Sequence, residues 1–138
     1  MKTFTSFSPK QTFILGKRLA KIIKRKWMKE KGNMVILVIG ELGAGKTLFT
    51  HGFFSGLGYR ETDFCGSPSF IIVQEYKGCI PFYHIDLYRL KTVEGIEEIF
   101  EKEGVIVCEW GEKIENIITF LWKIEFTILN NKRIIKIT

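Results

Sequence analysis

The sequence contains no long hydrophobic run. In a chain of 138 residues, its longest uninterrupted apolar stretch is residues 34–39, whereas a membrane-spanning helix needs about 20 apolar residues. Residues 1–4 also form no apolar segment of the kind found in a signal peptide. We therefore expect a cytoplasmic protein that does not act at a membrane.

Cysteine and histidine are both scarce. The three cysteines, Cys65, Cys79 and Cys108, are widely spaced without a Cys-x-x-Cys pair, and only His51 and His84 could supply imidazole ligands. This spacing argues against a zinc site or a disulfide framework and favours buried or incidental thiols. The chain also lacks repeats, low-complexity segments and linkers, so we expect one domain over residues 1–138.

Positive charge is concentrated near the amino terminus. The formal net charge is +6, and nine of the 21 Lys and Arg residues lie between residues 10 and 31. Ser8, Pro9 and Gln11 predict the start of a helix that runs to about Lys29, with Ser8 as N-cap and Gln11 returning the capping bond. The basic side of this helix could contact RNA or another acidic partner, or it could be an ordinary solvated face.

A predicted buried strand leads directly into a phosphate-binding motif. Residues 34–39 are continuously apolar, and residues 40–47, Gly-Glu-Leu-Gly-Ala-Gly-Lys-Thr, match Gly-x-x-x-x-Gly-Lys-[Ser/Thr] before a helical segment. In such a loop, backbone N–H groups and the positive end of the helix hold phosphate oxygens, because glycine permits close approach. Lys46 is placed to reach the β- and γ-phosphates of a nucleotide, and the Thr47 hydroxyl to ligate Mg²⁺.

Two further segments supply acids. Residues 104–110 predict a second buried strand that delivers Glu109 to the metal or to the attacking water. Residues 69–76 and 81–88 predict an antiparallel hairpin, in which alternation sends His84, Asp86 and Tyr88 to one face. Asp86 could act on water or metal, although such a cluster is often only a structural hydrogen-bond network.

The rest of the chain predicts further secondary structure. Residues 91–103 predict a short acidic helix, and residues 119–129 and 133–138 a closing hairpin.

Over nearly its whole length, the sequence resembles the TsaE family, also called YjeE. The motifs that carry this resemblance are residues 40–47, Leu57-Gly58, Ser67-Pro68-Ser69-Phe70, His84-Ile85-Asp86-Leu87-Tyr88-Arg89-Leu90 and Glu109-Trp110. The resemblance implies an α/β fold of the P-loop NTPase type, with a mixed central β-sheet flanked by helices. It also implies an ATPase that supports threonylcarbamoyladenosine modification of tRNA by binding the TsaB–TsaD assembly. With the charge of the first helix, this leaves two expectations for tRNA: an indirect role, or direct contact through that basic helix.

The resemblance also implies roles for individual residues. Asp86 and Glu109 are the expected catalytic acids, and Thr47 and Glu109 the expected magnesium ligands. Ser67 and Ser69 belong to a switch-like segment near the γ-phosphate, and the helix start around Pro9 lies where the family approaches the nucleotide base. The expected contacts with ATP are Pro9, Gly43, Ala44, Gly45, Lys46, Thr47, Thr50, Ser67, Ser69, Trp110 and Arg133.

Three other functions can be weighed from the sequence. A GTPase would carry Asn-Lys-x-Asp, but Asn131-Lys132-Arg133 is followed by Ile134. A small-molecule kinase would need an arginine-bearing lid and an acceptor pocket, for which little chain remains. The remaining alternative is a nucleotide-gated assembly module with negligible turnover, which differs from an ATPase only in whether hydrolysis occurs when partners are bound.

Overall fold

Seven strands form one sheet in the computed structural model, which describes residues 1–67 and 72–138. The order of strands across the sheet is β1-β7-β6-β2-β5-β4-β3. The elements along the chain are β1 (Lys2–Ser6), α1 (Pro9–Glu30), β2 (Asn33–Ile39), α2 (Lys46–Gly56), β3 (Val73–Tyr76), β4 (Phe82–Asp86), β5 (Gly104–Glu109), β6 (Trp122–Leu129) and β7 (Lys132–Ile137). Short 3₁₀ turns occupy Glu61–Asp63, Glu97–Glu101 and Gly111–Lys113.

The centre of the sheet is parallel and its edges are antiparallel. Strand β2 lies between β5 and β6 and is parallel to both, and β4 is parallel to β5. At the edges, β3 is antiparallel to β4, and β7 is antiparallel to β6 and β1. The predicted α/β fold with a mixed central sheet is therefore confirmed.

The two faces of the sheet are covered differently. Helices α1 and α2 share a core with alternate residues of the central strands, such as Ile36 and Val107. On the opposite face, Leu37 and Ile106 share a core with Phe100, which lies in the 3₁₀ turn Glu97–Glu101, and with Ile114, which follows the turn Gly111–Lys113. Because both faces are covered, β2 can be apolar along its whole length. Both α-helices therefore flank the sheet on one face only.

Helix α1 begins as its sequence predicts. The Ser8 hydroxyl accepts a hydrogen bond from the Gln11 N–H at 3.2 Å, and the Gln11 side chain accepts one from the Phe7 N–H at 2.7 Å. Further along, Gly16 lets α1 approach α2, because a Cβ at this position would lie 2.2 Å from the Phe49 carbonyl oxygen. No helix in residues 1–67 and 72–138 is long and apolar enough to cross a membrane.

Several predicted boundaries differ from the structure. Residues 91–103 contain only the 3₁₀ turn Glu97–Glu101, so the acidic helix predicted there is wrong. Glycine has a low helix propensity, and Gly95 takes a φ of 82°, which is incompatible with a continuous α-helix. The hairpin of β3 and β4 is confirmed, but β4 ends at Asp86, so strand alternation does not extend to Tyr88. Strand β1 was not predicted.

Candidate functional site

The phosphate loop lies at the carboxyl edge of the sheet, between β2 and α2. Parallel strands β4 and β5 end at the same edge, with Asp86 and Glu109 paired in register, and Glu109 is also paired with Val38 of β2. Ligands of open α/β sheets bind outside the carboxyl ends of the strands. The sheet therefore delivers two carboxylates to one side of the loop.

The loop has the backbone conformation that a phosphate cradle requires. Gly43 and Gly45 take positive φ angles of 81° and 105°, which favour glycine. Gly45 is also the N-cap of α2, and in the described part of the chain no side chain caps this helix. The first N–H groups of α2 are consequently available to an anion, which the helix dipole also favours.

The side chain of Lys46 is folded back over the loop. Its Nζ donates to the carbonyl oxygens of Gly40 and Glu41, the latter at 3.0 Å, and lies 4.1 Å from the centroid of the Trp110 ring. Burial lowers the pKa of Lys46 below its ordinary value, and the nearby carboxylates of Glu109, Glu112, Asp86 and Glu41 oppose that shift. A phosphate in the loop would give this buried ammonium a direct counter-charge.

Glu109 is held by hydroxyl groups from two other segments. The Thr47 hydroxyl donates to Glu109 Oε1 at 2.9 Å, and the Ser67 hydroxyl donates to Oε2 at 3.3 Å. The Thr47 and Ser67 hydroxyl oxygens are themselves 3.0 Å apart. Glu109 is only 2% exposed, so these donors compensate the cost of burying its charge. Thr47 and Glu109, the two expected magnesium ligands, are thus in direct contact.

His84 is a further member of this network, and the sequence interpretation gave it no role in the site beyond membership of a polar cluster. Its Nε2 faces Glu109 Oε2 at 2.5 Å, and the imidazole donates because a carboxylate only accepts. The ring is completely buried and stacks on Phe64 with centroids 5.6 Å apart. Among the described residues, its Nδ1 has no hydrogen-bond partner. A histidine within the apolar strand Phe82–Asp86 was the available sequence signal.

Asp86 has different surroundings from Glu109. Its side chain is half-buried, and Oδ1 accepts a hydrogen bond from the Tyr88 N–H at 2.9 Å. The Tyr88 ring lies 4.9 Å from that of Trp110, centroid to centroid. Asp86 is therefore less buried than Glu109 and, among the described contacts, accepts only this local hydrogen bond.

Two cavities meet at the loop. The loop cavity has a volume of about 380 Å³, and the helix-start cavity beside it about 190 Å³. The loop cavity is lined by Leu42, Gly43, Ala44, Gly45, Lys46, Thr47, Leu48, Ser67, Asp86, Tyr88, Glu109 and Trp110. The helix-start cavity is lined by Ser6, Phe7, Ser8, Pro9, Thr12, Gly43, Ala44, Gly45, Leu48, Asn131 and Arg133. Together they form a continuous surface on both sides of residues 43–45.

Most of the expected site residues lie along these cavities. Pro9 and Arg133 line the helix-start cavity, where an Arg133 N–H group donates to the Gly43 carbonyl oxygen at 3.4 Å. Thr50 is an exception, because it is buried within α2 and its hydroxyl donates to the Lys46 carbonyl oxygen at 2.8 Å. Ser69 lies outside the described residues.

The oxygen atoms near the loop suit Mg²⁺ better than a metal ion whose ligands all come from protein side chains. No cluster of three or more His, Cys, Asp or Glu residues with metal-binding geometry occurs in residues 1–67 and 72–138. Mg²⁺ normally takes one or two protein oxygens and completes its shell with phosphate oxygens and water. Thr47 and Glu109 could supply those protein oxygens.

Comparison with known proteins gives consistent matches. The family model described as "Threonylcarbamoyl adenosine biosynthesis protein TsaE" matches residues 6–135. The tRNA threonylcarbamoyladenosine biosynthesis protein TsaE of Haemophilus influenzae is 36% identical over 126 residues, which cover 86% of this chain and 77% of the relative. The protein of the same name from Bacillus subtilis is 45% identical over 85 residues, covering 59% of this chain and about half, 52%, of the relative.

A solved structure extends the match to the fold. The crystal structure of YdiB from Bacillus subtilis superposes with a TM-score of 0.74 and 31% sequence identity, covering 97% of this chain and 82% of that one. The likeness in fold therefore extends over nearly all of this chain.

Proposed function

The chain belongs to the TsaE family, and from this membership and the site geometry we propose that it binds and hydrolyses ATP with Mg²⁺ in the cytoplasm. In this proposal its ATPase activity supports threonylcarbamoyladenosine formation on tRNA. The observation that carries the proposal is the contact of Thr47 with Glu109 at 2.9 Å beside a glycine-rich loop that opens a helix. This is the pairing of hydroxyl and acid with which P-loop NTPases hold their metal.

The loop cavity would hold the triphosphate. The N–H groups of residues 43–47 would donate to phosphate oxygens, and Lys46 would exchange its bonds to the loop carbonyls for bonds to phosphate. Thr47 and Glu109 would hold the metal, with Ser67 next to them. When bound, Mg²⁺ would neutralise negative charge on the β- and γ-phosphates.

The helix-start cavity would hold the adenosine part of the nucleotide. It continues from the loop along the start of α1, where the exposed rings of Phe7 and Pro9 offer apolar contact. Arg133 lies on the same wall and donates to the loop. The lining combines apolar side chains with polar ones such as Asn131 and Arg133, so it could offer a base both apolar contact and hydrogen bonds.

Asp86 would orient the attacking water. It faces the loop cavity and, among the described contacts, is engaged only by the Tyr88 N–H. A half-buried carboxylate of this kind can accept a hydrogen bond from water and turn an oxygen lone pair toward a phosphate. Glu109 is already held by His84, Thr47 and Ser67, so it would serve the metal instead.

The protein would act with the TsaB–TsaD assembly, which performs the transfer itself. The relatives' name places them in tRNA threonylcarbamoyladenosine biosynthesis, and the open side of the loop cavity leaves room for a partner to complete the site. We expect slow ATP hydrolysis by the chain alone and faster hydrolysis with TsaB and TsaD.

The direct test is a reconstituted tRNA modification assay read by nucleoside mass spectrometry, run together with an ATPase assay. Lys46→Ala should abolish both activities, because it removes the only side-chain cation of the loop. Lys77→Ala, at an exposed position outside both cavities, is the matched control and should change neither. Unchanged modification with Lys46→Ala would reject an obligatory ATPase. Tight nucleotide binding without turnover, even with partners, would instead favour the nucleotide-gated assembly module.

A further inference from the structure

The net positive charge of the protein resides in helix α1. This helix contains eight Lys and Arg residues and a single acid, Glu30, whereas the whole chain has a net charge of +6. Outside α1, 13 basic residues are balanced by 14 acidic ones. An acidic partner would therefore meet one strongly positive element on a nearly neutral protein.

The basic side chains of α1 point away from the core. Six of them are exposed and two are half-buried, while Leu19, Ile23 and Trp27 on the other side of the helix are buried. We call the exposed set the α1 basic face, which consists of Lys10, Arg18, Lys21, Lys24, Arg25 and Lys29. Glu30 is paired with Lys26 at 2.8 Å, so it does not neutralise this set.

The spacing of the α1 basic face suits a linear polyanion. Lys10, Lys21 and Lys24 fall along one side of the helix, and Arg18, Arg25 and Lys29 repeat at seven and four residues beside them. At 1.5 Å per residue, the distance from Lys10 to Lys29 is about 28 Å. That length can follow several consecutive phosphates of one nucleic-acid strand.

The composition of this face favours RNA over a protein or a membrane. Protein interfaces are depleted in lysine and centred on apolar and aromatic side chains, whereas the exposed large hydrophobic residues of α1 are Ile22 and Met28, six residues apart. A membrane-surface helix inserts its apolar face into lipid, but the apolar face of α1 already packs on α2 and the sheet.

The acidic residues would help to orient such a partner. Five of them, Glu94, Glu97, Glu98, Glu101 and Glu103, lie in the segment that covers the opposite face of the sheet. A polyanion would be repelled from that side and attracted to α1.

We propose that the α1 basic face binds the phosphate backbone of RNA, and that tRNA is the RNA it meets. The choice of tRNA rests on the proposed function, whereas the binding of an RNA backbone rests on the charge and exposure of α1 alone. Because the contacts are to phosphates, binding depends steeply on salt and little on base sequence.

The test is a fluorescence anisotropy titration of the full chain with a labelled, unmodified tRNA transcript. The α1 variant carries Arg18→Gln, Lys21→Gln and Arg25→Gln, which keep good helix-forming residues. The control variant carries Lys77→Gln, Lys91→Gln and Lys102→Gln, three exposed positions outside α1 that give the same change in net charge. Binding of a fluorescent ATP analogue by each variant reports whether its fold and loop are intact.

We expect the α1 variant to bind tRNA at least tenfold more weakly than the control variant. Its slope of log affinity against log salt, between about 50 and 200 mM, should fall by about one unit for each phosphate contact removed. Equal affinities of the two variants, or no measurable tRNA binding by the unaltered chain at low salt, would overturn the proposal. If only association with TsaB–TsaD weakened in the α1 variant, the face would bind protein and the RNA proposal would be wrong.

This test is separate from that of the proposed function. RNA binding is read without hydrolysis, so its failure would leave the ATPase proposal untouched. Conversely, a chain that bound RNA through α1 but neither bound nor hydrolysed ATP would retain this inference and lose the proposed function.

Discussion

The two carboxylates of the loop cavity lie side by side, but one belongs to a fixed region and the other to an open one. Glu109 on β5 is 2% exposed and contacts His84, Thr47 and Ser67. Asp86 on β4 is its partner in register, yet it is half-buried and accepts only a local bond from the Tyr88 N–H. The same edge of the sheet thus holds one acid whose side chain is fixed by several partners and one whose side chain is largely unrestrained.

This difference shows how two acids in one site can serve two tasks, metal binding and orientation of water. A buried carboxylate keeps its charge only when donors surround it, and those donors also fix its orientation before any ligand arrives. A half-exposed carboxylate remains free to turn toward water or ligand. This difference supports the proposal that the fixed acid, Glu109, serves the metal and the open acid, Asp86, the attacking water.

The largest expected effect comes from the fixed acid. Glu109→Gln keeps the size of the side chain but removes its charge, so we expect ATP hydrolysis to fall about 100-fold or more. ATP binding should change much less, because the loop amides and Lys46 remain. Steady-state turnover and fluorescent-ATP binding check this, with the exposed Glu101→Gln as control. Unchanged turnover would remove Glu109 from the hydrolytic machinery.

An intermediate effect is expected at His84, which orients Glu109 without lining the loop cavity. His84→Phe keeps a ring to stack on Phe64 but removes the donor, so we expect turnover to fall roughly tenfold, within the range for loss of a supporting partner of a metal ligand. The dependence of turnover on Mg²⁺ concentration should shift upward as well.

A rescue experiment distinguishes this role from general support of the fold. His84→Gln restores a donor toward Glu109 and should recover part of the Mg²⁺ affinity. The order of His84→Phe and His84→Gln in turnover should not follow their order in thermal stability. If turnover simply followed thermal stability, His84 would be a core residue with no positioning role.

The smallest effect is expected for the open acid in the absence of partners. Asp86→Asn keeps an oxygen that can accept from the Tyr88 N–H, so the midpoint of thermal unfolding should stay unchanged. We expect hydrolysis by the chain alone to fall only a few-fold and hydrolysis with TsaB–TsaD to fall about tenfold, because water is then held in place. A loss larger than that of Glu109→Gln would reverse the assignment of the two acids.

The parts of the molecule that were predictable from sequence depend on local patterns. The phosphate loop is a motif of eight consecutive residues. The start of α1 is predicted by Ser8, Pro9 and Gln11, which lie within four residues of one another. The strands β2 and β5 are apolar because both faces of the sheet are covered. In each case the determining residues are neighbours in the chain, so no knowledge of pairing was needed.

The features that escaped prediction depend on distant partners. Strand β1 is short and partly polar, and it is ordered by pairing with β7 at the other end of the chain. The contact of His84 with Glu109 follows from the register of β4 against β5, which local alternation does not give. The acidic segment has helical composition, but Gly95 and its packing on the sheet through Phe100 leave only a 3₁₀ turn.

The most direct measurement of the central claim is calorimetric titration of the purified, folded chain with ATP in the presence and absence of Mg²⁺. The account predicts saturable uptake of one nucleotide per chain that tightens with Mg²⁺ and disappears with Lys46→Ala. Absence of heat from ATP binding to the unaltered, folded chain with Mg²⁺ supplied would contradict the assignment of residues 40–47 as a nucleotide site.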